Sequence, residues 1–105
     1  MKANYYVMPA LGSKKEIIVE TVCEWFDVTW EQLGKKSRKR EYVVPRQVCM
    51  YLCKKLTRAS LPRIGREFGN KHHTTVLHSI NKIEELRHQD RDLDRQLEIF
   101  LDAFK

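Results

Sequence analysis

Short polar side chains recur on one face of a predicted helix in the second half of the chain. At about 100° per residue, Thr74, Thr75, His78 and Lys82 cluster on one side of this helix. Hydroxyl and imidazole groups can reach base edges or thymine methyl groups, and Lys82 can reach a phosphate. A solvated polar face would contain the same residue types, so this pattern alone leaves both interpretations open.

Positive charge is concentrated in the middle third of the sequence. The whole chain carries a net charge of +6, yet residues 35–66 contain eleven Lys or Arg against one Glu. Such a block suits a polyanion, and it favours nucleic acid over a merely solvated helix face. Its densest part is Lys35–Arg40, where arginine suits insertion into a narrow minor groove. A solvated loop or a targeting signal is the alternative for this run.

Metal binding and catalysis find weaker support in the sequence. Cys49 and Cys53 precede His73 and His78, which superficially imitates a Cys-Cys-His-His zinc site. Nineteen residues separate Cys53 from His73, whereas a zinc finger uses about 12. The odd cysteine count, with Cys23, points to small buried apolar residues. No nucleophile–base spacing stands out, so we expect no catalytic residues, no metal, no cofactor and no enzymatic activity.

The elements that position the polar face are all predicted to be helices. Predicted capping residues, such as Thr29 and Ser60, divide the chain together with glycines and prolines, and no strand alternation or internal repeat occurs. The predicted helices cover Ser13 to Phe26, Trp30 to Leu33, Pro45 to Leu56, Leu61 to Phe68, His72 or His73 to His88, and Asp92 to Phe104. Lys35–Val44 is predicted to be a basic loop. Two helices joined at Gly69 and Asn70 form a helix-turn-helix candidate.

Apolar residues at helical spacing define the expected core. They are Ile17, Val19 or Val22, Cys23, Phe26, Val48, Cys49, Leu52, Cys53, Leu56, Ile64, Phe68, Val76, Leu77, Ile80, Ile83, Leu93, Leu97, Phe100, Leu101 and Phe104. Trp25 and Trp30 are interpreted as core or hydrophobic-staple residues. The stripe on the last helix is interpreted as core, with a dimer or protein-partner face as the alternative.

A resemblance to a known family strengthens the DNA interpretation. The order and spacing of Pro45-Arg46-Gln47, Leu56-Thr57, Ser60-Leu61-Pro62-Arg63-Ile64-Gly65, Phe68-Gly69 and His73-Thr74-Thr75-Val76-Leu77-His78 resemble the C-terminal DNA-binding domain of the bacterial replication initiator DnaA. The resemblance covers roughly Lys14 to Leu101. It implies a small all-α domain with a Trp-repressor-like helix-turn-helix.

The resemblance also implies roles for individual residues. It implies that a basic loop lies on the DNA backbone and sends Arg38 into the minor groove, with Arg40 as a neighbouring contact. Arg46 and Gln47 match a helix start that meets phosphate. Pro62 matches an apolar contact with a thymine methyl group. His73, Thr74 and Thr75 match the first residues of a recognition helix in the major groove.

Two departures from the family pattern alter these expectations. The family usually carries an acidic residue just before His-Thr-Thr, where it can accept a hydrogen bond from cytosine, but this position is His72 here. A neutral imidazole can donate to guanine or lie against a phosphate, so we expect a DnaA-box-like site with relaxed or altered preference at that base pair. The sequence also contains no Walker Gly-Lys-Ser/Thr loop, so we expect neither ATP binding of that kind nor origin melting.

The remaining expectations concern organisation and setting. Residues 1–12 form an unmatched segment, and residues 13–105 form the DNA-binding domain. The initial Met and Lys2–Gly12 favour an independent protein over an excised domain. No membrane-length apolar run or signal peptide is present, so we expect a cytoplasmic, nucleoid-associated, bacterial protein that binds double-stranded DNA and no membrane.

Three other functions are open alternatives. One is a protein-interaction module, and another is a regulator of transcription or of a mobile element that uses the same helix-turn-helix. The third, RNA binding, is disfavoured because the basic block contains only Tyr42 and Tyr51 as stacking aromatics.

Overall fold

All regular secondary structure in the described part of the chain is helical. The computed structural model describes residues 14–34 and 39–103, and six helices account for most of them. They are α1 (Lys14–Phe26), α2 (Trp30–Gly34), α3 (Arg40–Leu56), α4 (Leu61–Glu67), α5 (His73–Gln89) and α6 (Arg91–Ala103). The all-α prediction is confirmed. The predictions for residues 1–12, Ser13, Lys35, Lys36, Arg38 and Phe104 fall outside the described residues.

Helix α3 forms the centre of the domain. Its buried residues form a nearly continuous run, and α1, α2, α4 and α5 all pack against it. These residues are Pro45, Arg46, Val48, Cys49, Met50, Tyr51, Leu52 and Cys53. The predicted stripe named only half of them, because neighbours on several sides of the helix cover more than one face.

The predicted start of α3 at Pro45 is wrong. The helix begins at Arg40, five residues earlier, and Lys39 is its N-cap residue. Proline inside a helix removes one backbone hydrogen bond, but the carbonyl that would have accepted it belongs to Glu41, an exposed residue in the first turn. Val44 packs against the core and supports this first part of the helix. Arg40–Val44, predicted to belong to the basic loop, is therefore helical.

Helices α1 and α2 cover one side of α3. Thr29 caps α2 as predicted: its Oγ1 accepts from the Gln32 N–H at 3.1 Å, while its own N–H donates to Gln32 Oε1 at 2.9 Å. This reciprocal pair is a capping box. In α1 the fully buried isoleucine is Ile18, whereas the predicted Ile17 is only half-buried.

Tryptophans extend the core of this layer toward its edge. Trp25 is half-buried and lies 6.2 Å from the Phe100 ring, centroid to centroid. Trp30 remains 41 % exposed and meets the Phe68 ring edge-on at 5.6 Å. The core interpretation therefore fits Trp25 better than Trp30.

A polar cluster around Arg87 fastens α6 to α5 and α3. The guanidinium donates to Asp94 Oδ1 at 2.6 Å, to the Tyr51 hydroxyl at 2.7 Å and to Glu98 Oε2. Burial lowers the pKa of Arg87, but these hydrogen bonds outweigh that effect and leave the pKa raised. Leu93, Leu97 and Phe100 supply the buried stripe of α6 beside this cluster, as predicted.

None of the helices in the described part of the chain is long and apolar enough to cross a membrane.

Candidate nucleic-acid interface

The turn between α4 and α5 has the tight geometry of a helix-turn-helix. Ser60 caps α4 as predicted, since its Oγ accepts from the Arg63 N–H at 3.3 Å, and Pro62 lies in the first turn. Gly69 has φ of 90° and Asn70 φ of 59°, which are values that favour glycine and asparagine. The Lys71 N–H donates to the Gly65 carbonyl at 2.7 Å. This hydrogen bond closes the turn and sets where α5 begins.

His72 is the N-cap residue of α5. Its carbonyl accepts from the Thr75 and Val76 N–H groups at 2.9 and 3.2 Å, and its side-chain Nδ1 accepts from the Thr74 N–H at 3.2 Å. The His72 and His73 rings lie 4.2 Å apart, centroid to centroid. Two imidazoles therefore sit together at the start of the helix that the sequence predicted to recognise DNA.

The polar and apolar faces of α5 separate largely as predicted. The polar residues assigned to DNA recognition are all exposed: His73, Thr74, Thr75, His78 and Lys82. Val76, Ile80 and Ile83 are buried. Leu77 is 43 % exposed, so its assignment to the core is wrong. Its place is taken by Ser79, which is 5 % exposed, because the buried stripe is centred between Val76 and Ile83 and lies about 100° away from Leu77.

The C-terminal end of α3 supplies basic groups beside α5. Lys55 Nζ lies 3.3 Å from Glu84 Oε2 on α5 and 5.5 Å from the centroid of the Tyr51 ring. Lys54 and Arg58 are also exposed on this part of the chain. These three cations were counted in the basic block but not singled out as site residues. Their position just after the buried stripe of α3 is the signal that would have identified them.

Arg63 and Arg66 add two exposed guanidinium groups on α4, the first helix of the helix-turn-helix. Arg63 pairs with Glu67 at 3.5 Å, with 64 % of its own side chain exposed. Pro62, assigned to a thymine methyl group, is exposed in the first turn of the same helix. Helix α4 therefore presents both apolar and cationic groups at the surface of the helix-turn-helix.

Arg46 is held in the interior rather than at a helix start. It is 8 % exposed, its Nε donates to the Leu33 carbonyl at 2.7 Å, and burial lowers its pKa. Because α3 begins at Arg40, Arg46 and Gln47 lie in its second turn. The resemblance had implied a phosphate contact for both residues on the assumption that they lie at the N-terminus of the helix. That contact stays a prediction for both residues. Arg40 is exposed in the first turn, and Arg38 lies outside the described residues.

The cysteines and histidines of the imagined zinc pattern lie in different environments. Cys49 and Cys53 are buried in α3, whereas His73 and His78 are exposed on α5. Within residues 14–34 and 39–103, no three His, Cys, Asp or Glu side chains are grouped so that they could hold a metal ion. Burial raises the pKa of the Cys23 thiol to about 11 and that of Cys53 to about 12. These thiols therefore behave as apolar core groups.

Comparisons with known proteins agree with this geometry. The profile of the bacterial dnaA protein helix-turn-helix family matches residues 15–83. The chain is 49 % identical over 90 residues to the chromosomal replication initiator protein DnaA of Crocosphaera subtropica, covering 86 % of this chain and 20 % of the relative. The corresponding protein of Levilactobacillus brevis is 46 % identical over 89 residues, with 85 % and 20 % covered.

A third relative has the same name. The DnaA of Thermus thermophilus is 45 % identical over 86 residues, which cover 82 % of this chain and 20 % of that protein. The chain thus spans about a fifth of the length of these curated relatives. The matched residues include all of α2–α4 and the start of α5, where the capped turn and the exposed polar face lie. This chain therefore belongs to the bacterial DnaA helix-turn-helix family.

Proposed function

We propose that this chain binds double-stranded DNA sequence-specifically, at sites like those used in the initiation of chromosomal replication or its control. The observation that carries the proposal is the exposed polar start of α5 in a domain whose neighbouring helices carry exposed cations. These cations include Lys55 and Arg58, at and just after the end of α3, and Arg63 on α4. The curated relatives are named chromosomal replication initiators, and their name suggests the biological setting. In this proposal the chain is a binding module without a catalytic role, found where bacterial DNA is found.

Two groups of side chains have different roles in the proposed binding: one contacts base edges and the other contacts phosphates. His73, Thr74, Thr75 and His78 are short enough to meet base edges in the major groove when α5 enters it. Exposed cations on α3, α4 and α5 neutralise phosphates and fix the register without reading sequence. Pro62 offers an apolar surface to a thymine methyl group. Arg38 and Arg40 are proposed to follow the adjoining minor groove.

The electrostatic part of the proposal predicts a steep dependence on salt. With four to seven phosphate contacts, each contributing about −0.9 to the slope of log K against log salt, affinity should fall about 10²–10⁴-fold between 50 and 200 mM salt. Fluorescence anisotropy with a labelled duplex measures this slope. A flat response would refute the proposal.

Substitutions that each remove one positive charge, inside or outside the proposed surface, can locate the interface. Arg58→Gln and Lys82→Gln should each weaken binding to every duplex and reduce the slope by about one. Arg95→Gln on α6 removes the same charge from an exposed position outside the proposed surface and serves as the control. Equal losses for all three variants would show that overall charge, and not this surface, determines binding.

A further inference from the structure

The helix cap fixes which nitrogen of His72 carries a proton. The Thr74 N–H approaches His72 Nδ1 at 3.2 Å, and Thr74 Oγ1 lies 2.8 Å from the same nitrogen. A backbone amide can only donate, so Nδ1 must present its lone pair. A neutral imidazole with an acceptor Nδ1 carries its hydrogen on Nε2. The exposed ring therefore has one free polar group, and that group is a donor.

The ring is also held in one orientation. The backbone of His72 is anchored by two hydrogen bonds to its carbonyl, and its ring lies against His73 at an interplanar angle of 33°. With Nδ1 turned back toward the first amides of α5, Nε2 points away from the helix backbone. The residue is exposed, so a ligand that approaches the start of α5 meets the Nε2–H group.

Resting on the proposed function, in which the start of α5 enters the major groove, we propose that His72 selects guanine in the base pair that it faces. Guanine presents two acceptors there, N7 and O6, and satisfies an approaching donor best. Adenine places an amino donor beside its N7, and cytosine presents only the N4 amino donor. The capped tautomer thus favours guanine and disfavours cytosine at one position of the site.

The substitution His72→Asp changes the exposed group from a hydrogen-bond donor to an acceptor and keeps the helix cap. Aspartate is as good an N-cap residue as any, so His72→Asp preserves the start of α5 but replaces the exposed donor with carboxylate acceptors. Selection from random duplexes should give guanine over cytosine for the wild type, by roughly 2- to 12-fold at one position, the range expected for a single hydrogen bond. The variant should prefer cytosine at the same position and keep the rest of the site. His88→Asp, at the far exposed end of α5, is the charge-matched control and should select the wild-type site.

The outcomes separate this inference from the function on which it rests. The same base selected by wild type and His72→Asp, or a wild-type site whose responding position is not guanine, would overturn the inference and leave DNA binding intact. Failure of every variant and the wild type to enrich any duplex would overturn the proposed function. Imidazole ¹⁵N–¹H correlation spectra of the free protein provide a test without DNA: a hydrogen on Nδ1 of His72 in the neutral ring would also refute the inference.

Discussion

In the helix-turn-helix, the backbone of Gly65 lies very close to the backbone of Lys71. Gly65→Ala is therefore a sharp test of the turn. A Cβ at this position would lie 2.1 Å from the Lys71 carbonyl oxygen, 3.1 Å from the Lys71 carbonyl carbon and 3.3 Å from Val76 Cγ2. Real Cβ atoms essentially never come within 3.0 Å of such an atom. The backbone of the turn would have to move by almost an ångström, and that movement strains the Lys71–Gly65 hydrogen bond of 2.7 Å.

The expected cost follows from these contacts. Overpacking contributes about 1–3 kcal/mol, and a weakened backbone hydrogen bond adds about 1 kcal/mol. Alanine regains about 0.5–1 kcal/mol over glycine in a helix. We therefore expect Gly65→Ala to lower the free energy of unfolding by about 1–3 kcal/mol, which corresponds to a fall in Tm of roughly 4–20 °C for a domain of this size.

Urea unfolding followed by circular dichroism measures this change, and Gly34→Ala is the matched control. Gly34 also lies in a helix, but nothing lies within 4 Å of its added Cβ. The control should leave stability unchanged or raise it by up to about 1 kcal/mol. Equal stabilities for Gly65→Ala and Gly34→Ala would refute the close packing of α4 against the turn.

Two further predictions concern the core. Ile83→Ala, at a fully buried position of α5, should lower the free energy of unfolding by about 2–5 kcal/mol. Leu77→Ala, at a position 43 % exposed, should lower it by less than half as much. Equal losses in urea unfolding would show that Leu77 belongs to the core. Burial raises the pKa of Cys23 from 9.0 to about 11, so its contribution to stability should be complete below pH 9 and decline as the pH rises toward 11. Cys23→Ala should show a shallower alkaline loss of Tm, and an unchanged pH profile would argue against a buried thiol.

The helix-turn-helix was predictable because its signals are local. A serine before Leu61 and a glycine–asparagine pair after Phe68 each satisfy a requirement of one turn of backbone, whatever packs around it. The boundaries of α4 and the start of α5 therefore agree with the structure to within a residue. The same holds for α2, where Thr29 and Gln32 form a cap between themselves.

The errors arise where a tertiary contact outweighs a local signal. Pro45 has the features of a helix start, but the segment from Arg40 gains enough packing through Val44 to continue the helix upstream. Leu77 is exposed and Ser79 is buried because the position of the neighbouring helices, and not side-chain hydropathy, determines which stripe of α5 is covered. In both cases the deciding contact is made with residues far away in the sequence, so the local sequence does not reveal it.

Arg46 shows why a charge pattern cannot by itself assign a binding role. Within the basic block its charge is indistinguishable from that of Arg58 or Arg63, yet it is 8 % exposed and its Nε is bonded to the Leu33 carbonyl. That carbonyl belongs to the last turn of α2, and Arg46 belongs to α3, so the hydrogen bond ties together the two helices between which the chain passes through residues 35–39. One arginine of the block thus holds the scaffold in place, while exposed members of the block on α3 and α4 remain available to a polyanion. Loss of DNA affinity in an Arg46 variant would therefore reflect the positioning of α2 and α3 as well as any phosphate contact.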